Sequence, residues 1–237
     1  MISRQYEQCC EASFPVSQHA PEVLGTEILM EDALARASIY NFLAAVFGDP
    51  PAAGLLTTST ALLPDLPPAT LEELSLAYTR LLIAPGKDYA PPYASIYLSP
   101  TSDSKPQLWG QEAAAVEAIY LECGLEVAAG QPRVPDHLAL ELQFMQHLCA
   151  REANARGCGE NEEAARWRQL QLIFLCDHLW PWLPRFVRRL MEVKAHPFYL
   201  AMADFMLEFI RSELGPYLTQ VFPSPLGERN GERRAAP

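Results

Sequence analysis

Apolar residues recur at helical spacing in the stretches of the chain that proline leaves open. Five long windows, 22–49, 69–84, 107–131, 136–180 and 198–215, contain no proline. Proline removes a helix hydrogen bond and clashes with the preceding turn, so helices run where it is absent. Each window is rich in Ala, Leu, Glu, Gln, Arg and Met, which favour the helix. Leu138, Leu142, Met145 and Cys149 fall on one helical face, which Phe144 and Leu148 widen. Ile28, Leu29, Tyr40, Phe42, Leu43, Val46 and Phe47 do the same in the first window. Gly157 and Gly159 divide the longest window into helices near 136–155 and 160–180. Shorter helices fit 182–194 and, more weakly, 51–63. Only Tyr93–Leu98 alternates in the manner of a strand, and two prolines precede it. The pattern predicts an all-α fold of about seven to nine helices in one domain.

Three stretches lie outside that pattern. Residues 1–24 read as a flexible lead and 221–237 as a flexible polar tail, leaving 25–220 as the helical domain. Residues 85–108 combine prolines with Tyr89, Tyr93, Ile96, Tyr97 and Leu98. A long loop that keeps its aromatics is expected to be ordered and functional.

Composition narrows the function. The chain has 237 residues, 18 Lys+Arg against 29 Asp+Glu, and a net charge of -11. Nucleic acids and anionic membranes need basic partners, so neither is expected to bind. No apolar run of membrane-spanning length and no signal-peptide h-region occurs, so a cytoplasmic protein without membrane insertion is expected. Six cysteines, at 9, 10, 123, 149, 158 and 176, form no CxxC pair and are expected to be free thiols.

Catalytic signatures are missing: there is no GxSxG, no phosphate-binding loop and no GxGxxG. His137 and Glu141 share a helix face, but two ligands do not make a metal or acid–base site. Neither enzymatic activity, nor a metal, nor a cofactor is therefore expected. Asp136, after Pro135, reads as the N-cap of the helix that follows. Asp177 and His178 sit together mid-helix beside Trp180 and Trp182, where the histidine reads as satisfied and half-buried. Arg185, Arg188 and Arg189 read as a solvated face.

Several stretches together resemble a known family. They are Tyr78-Thr-Arg-Leu81-Leu82-Ile-Ala-Pro85-Gly86, Ala90-Pro91-Pro92-Tyr93-Ala-Ser-Ile-Tyr97, Leu108-Trp109-Gly110, and Val134-Pro135-Asp136-His137-Leu138-Ala-Leu-Glu141-Leu142-Gln-Phe144-Met145. Their order and spacing are similar to those of the TorD/DmsD/NarJ family. The resemblance covers roughly residues 30–215. It implies an all-α cytoplasmic chaperone. Its partner would be the precursor of a molybdopterin oxidoreductase, bound through the twin-arginine signal peptide or another part of the apoenzyme, so that export waits for cofactor insertion. The resemblance places peptide binding on Tyr78, Leu81, Leu82, Pro92, Tyr93, Gly110, Asp136 and His137. Trp109 joins them as an aromatic of the expected apolar groove with Tyr78, Leu82 and Tyr93, and Glu141 as the neighbour of His137 on one helix face. The residues alone suit the same class, because an acidic helical protein with an aromatic loop fits a basic, partly apolar peptide. Two other readings stand beside it: a helical adaptor for an amphipathic segment of a regulatory partner, and a helical metalloenzyme or phosphohydrolase using His137, Glu141 and a distant ligand.

Overall fold

The computed structural model describes residues 20–98, 108–127 and 134–221, with side chains excluded for 20–26 and 216–221. Among the described residues there are nine α-helices and no strand. They are α1 (Ala20–Gly48), α2 (Ala53–Leu62), α3 (Leu71–Tyr78), α4 (Ala94–Leu98), α5 (Gln111–Glu122), α6 (Leu138–Gly157), α7 (Asn161–Phe174), α8 (Leu183–Glu192) and α9 (Pro197–Val221). Five-residue π turns extend α3 (Thr79–Ile83) and α7 (Leu175–Leu179). Each proline-free window thus carries helix, and Asp49-Pro50-Pro51 stops α1 where expected. α1 begins at Ala20, within the lead read from the sequence. Residues 1–19 of that lead and 222–237 of the tail lie outside the described residues.

One part of the loop reading is corrected. Residues 94–98 form α4 rather than irregular chain or strand. Alternating apolar residues over so short a run do not distinguish a strand from one turn of helix.

α6 is the central element. Its residues are buried nearly all round, because α1 and α7 pack along it. α9 closes on α1 and α7, and α4 bridges α5 and α8. On α1 the residues Ala33, Ala37, Tyr40, Ala44 and Phe47 are buried at a three-four spacing that faces α6. A single apolar cluster draws on α1, α3, α5, α6, α7, α8 and α9, with Tyr40, Phe47, Phe144, Phe174, Trp182, Phe186 and Tyr199 among its largest members. Edge-to-face contacts such as Phe144–Phe174, 4.8 Å between centroids, fix the rings against one another.

Helix ends are closed locally. Thr70 and Glu73 form a reciprocal capping box on α3. α6 ends in a Schellman turn: Gly159 N–H donates to Arg156 O and Glu160 N–H to Ala155 O, with Gly159 at φ 75°. α8 ends the same way, Lys194 N–H to Met191 O and Ala195 N–H to Leu190 O, but the left-handed residue is Lys194 at φ 52°.

A buried ionic network ties four helices together. Arg36 of α1 donates to Glu152 of α6 at 2.8 Å and to Glu213 of α9 at 3.4 Å, and also to Gln171 of α7. Arg156 and Arg168 supply further cations to Glu152 and Glu213. Burial opposes the Arg36 charge, and the surrounding acidic groups more than offset it.

No described helix is long and apolar enough to cross a membrane. Cys123, Cys149, Cys158 and Cys176 are free thiols, and Cys9 and Cys10 lie outside the described residues.

Candidate peptide-binding site

The segment before α4 and the segment before α6 are laced together. Leu138 N–H donates to Pro92 O at 2.9 Å and Ala94 N–H donates to Asp136 O at 3.1 Å, making a one-residue antiparallel bridge between Tyr93 and His137. Their rings meet edge to face with centroids 5.0 Å apart. The bridge joins two of the stretches singled out in the sequence, 44 positions apart from Tyr93 to His137.

Asp136 is not the cap of α6. Its Oδ2 accepts from Ser95 N–H at 2.7 Å, so it closes the first turn of α4 instead. The cap of α6 is His137, whose Nδ1 accepts from Ala139 N–H at 3.1 Å. Both segments gain from the exchange: α4 is too short to hold its own end, and Asp136 supplies the acceptor from across the bridge.

Glu141 lies one turn into α6 with no exposed surface. Its Oε2 accepts from Trp182 Nε1–H at 3.2 Å, and Oε1 has no partner among the described residues. Tyr97 stacks on Trp182, centroids 5.7 Å apart, which carries the arrangement back to α4. His137 and Glu141 therefore serve different neighbours, and no group of three potential metal ligands occurs among the described residues.

Burial pushes the Glu141 carboxyl well above its ordinary range. The Asp136 charge adds to the effect, and the Trp182 hydrogen bond opposes it. Asp136 is also raised, by burial first, against hydrogen bonds from Ser95. A carboxyl raised in the folded state withdraws stability as pH climbs through its folded pKa, and its penalty vanishes below the unfolded value. Glu141→Gln keeps an acceptor for Trp182 and has no charge to bury. The variant is expected to gain on the wild type, in melting temperature, as pH rises above the ordinary carboxylate range. Parallel melts across that rise check it, and a constant difference would remove the buried charge from the account.

The other expected site residues fall into two groups. Tyr78, Leu81 and Leu82 are buried. Tyr78 donates its hydroxyl to Gly48 O at 2.9 Å, and Leu81 O accepts from Ala90 N–H at 2.8 Å, so this group anchors the start of the loop. Pro92 is buried and Tyr93 half-buried. Trp109 and Gly110 precede α5, with Gly110 as its cap residue. Trp109 is 67% exposed, beside exposed Leu108, and its backbone is left-handed at φ 68°. A bulky side chain in that region is a genuine outlier. α5 reaches the rest of the site through Tyr120, whose hydroxyl donates to Pro135 O at 3.1 Å, and through Glu112, whose charge acts on Asp136.

Sequence reasoning missed how the loop is held. Arg189 donates to Tyr89 O and Lys87 O at 3.1–3.2 Å, and Arg185 donates to Tyr97 O. These two arginines strap residues 87–97 onto α8 rather than forming a solvated face. Their run on one helix was visible; their acceptors, about a hundred residues earlier and on the backbone, carry no side-chain signal.

The comparisons with known proteins bear on this same region. Residues 49–188 match the family described as the nitrate reductase delta subunit. The chain belongs to that family. This is the NarJ/TorD group whose motifs the sequence carries, and residues 49–188 hold the bridge, the Trp109 turn and the capped start of α6. Curated relatives include the chaperone protein TorD of Shewanella piezotolerans, 31% identical over 147 residues, 61% of this chain and 62% of that protein. The chaperone protein TorD of Shewanella sp. MR-4 is 32% identical over 146 residues, 60% of this chain and 62% of that protein. That of Vibrio cholerae serotype O1 is 30% identical over 141 residues, 60% of each chain. The chain thus spans about three fifths of the length of these relatives.

Proposed function

We propose that this protein is a cytoplasmic chaperone that binds the twin-arginine signal peptide, or the apo form, of a molybdopterin-dependent oxidoreductase and assists cofactor insertion before export or membrane assembly. Membership of the nitrate reductase delta subunit family and the chaperone names of its relatives support the class. The observation that carries the peptide reading is Trp109, a large exposed aromatic with a left-handed backbone just before α5. Strained, exposed aromatics belong to recognition surfaces rather than to packing.

In this reading the site has two tiers. Trp109, Leu108, Gly110 and Tyr93 meet the apolar part of the peptide. Tyr78, Leu81, Leu82, Pro92, Asp136, His137 and Glu141 fix the backbone beneath them. Asp136 and Glu141 have no exposed surface, so their part is to position, and Glu112 in the first turn of α5 is the carboxylate placed to meet an arginine.

Calorimetric titration with a synthetic twin-arginine signal peptide tests the proposal. Replacing both arginines by lysine is expected to weaken binding about tenfold, since lysine cannot make the bidentate pair. No binding of either the peptide or the apoenzyme precursor would sink the proposal.

A further inference from the structure

A second surface is lined by none of Trp109, Leu108, Gly110 and Tyr93. A groove runs between α3 and the turn joining α8 to α9. Leu76, Ala77, Leu81 and Val193 form its apolar part, and Arg80 and Lys194 stand on its two sides. It adjoins a hollow over residues 84–88, which Arg80 also borders and to which Lys87 belongs.

Three independent features single this surface out. The first is charge. The chain carries -11 overall and only three lysines, yet two of them gather here with Arg80. Among the described residues none of Arg80, Lys87 and Lys194 makes an ion pair. Glu73 lies in the same groove and accepts from Thr70 in the capping box, which holds its carboxylate in the charged form. Asp88 is the other acid there.

The second feature is apolar exposure. Leu76 is 52% exposed, and Leu71 and Ile83 on the same helix and its π turn are exposed too. The third is the backbone. Arg80 and Leu81 sit in the π turn, a feature that concentrates at functional sites. Lys194 occupies the left-handed position of a Schellman turn, where glycine would sit without strain. A lysine kept there holds a positive charge over the groove at a cost to the fold.

We infer that this groove docks an acidic amphipathic helix of a protein partner. The helix lays an apolar stripe on Leu76 and Val193, and flanking carboxylates meet Arg80, Lys87 and Lys194. The three cations outnumber the two carboxylates, Glu73 and Asp88, so the groove favours an acidic segment over a basic twin-arginine signal. The groove is therefore a separate surface, and this inference does not rest on the Trp109 reading.

Fluorescence anisotropy tests it on the full chain. One labelled helical peptide carries a leucine stripe flanked by glutamates; a second carries lysines in place of the glutamates. The glutamate peptide is expected to bind and the lysine peptide not to. Raising salt from about 50 to about 200 mM is expected to weaken binding several-fold. The double variant Arg80→Glu/Lys194→Glu is expected to lose about tenfold or more in affinity. Leu76→Ser is expected to weaken binding as well. Lys194→Gly relieves the backbone, so it should melt no lower than wild type and still bind more weakly. Trp109→Ala is expected to leave this binding unchanged. Helical circular dichroism confirms that each variant is folded. Equal binding of both peptides, or wild-type affinity in the double charge reversal, would overturn the inference. Displacement of the peptide by tripolyphosphate, with Leu76→Ser binding like wild type, would also overturn it, because the groove would then serve a small anion.

Discussion

Arg36→Met is expected to destabilise the protein by about 3–5 kcal/mol, the cost of leaving buried carboxylates without their partner. For a chain of this size that lowers the melting temperature by roughly 6–20 °C. The reason is the placement of the guanidinium. It contacts Glu152 on α6, Gln171 on α7 and Glu213 on α9 while riding on α1, so one side chain joins four helices. Glu152 and Glu213 keep Arg156 and Arg168 in the variant, which limits the loss. The double variant Arg36→Met/Glu152→Met is expected to be less damaged than the sum of the two single changes, since it removes a charge from each side. Additive losses in a thermal melt series would mean that the two groups act independently, against the network described.

Trp109→Ala is expected to weaken binding of a twin-arginine signal peptide by about thirtyfold, the roughly 2 kcal/mol typical of an aromatic anchor. Because the ring is 67% exposed, its removal opens no cavity, and the melting temperature is expected to stay at the wild-type value. That pairing separates a contact residue from a structural one. Tyr78→Phe offers the opposite control: it deletes the hydroxyl that meets Gly48 O, and is expected to lower stability first. Calorimetry and melting on both variants check the pair. Unchanged affinity in Trp109→Ala would move the peptide site elsewhere on the surface.

The helices were legible because proline placement and three-four spacing are local properties. The ends of α1 and α6 follow from Pro50 and Gly159. What could not be read depends on partners distant in sequence. α4 spans only Ala94–Leu98, too short for any period to show, and its first turn is closed by Asp136, 41 positions later. With Asp136 engaged there, His137 takes the capping role that residue preference alone gives to Asp136. The acceptors of Arg36 lie 116–177 positions away for its two buried carboxylates, and those of Arg189 are backbone carbonyls. The candidate site shows the same division. Its motifs were visible as residues, and the structure sorts them into the buried Tyr78, Leu81, Leu82, Asp136 and Glu141 and the outward-facing Trp109. That sorting turns on a backbone angle at Trp109, which no residue pattern encodes.

The role proposed for this protein is to help a molybdopterin-dependent oxidoreductase acquire its cofactor. The most direct measurement is cofactor loading of the purified apoenzyme precursor, followed by molybdenum content and recovered activity, with and without this protein. The account predicts that stoichiometric wild-type protein raises the loaded fraction and that Trp109→Ala raises it less. Equal loading with and without the wild-type protein, under conditions where the precursor stays soluble, would contradict it.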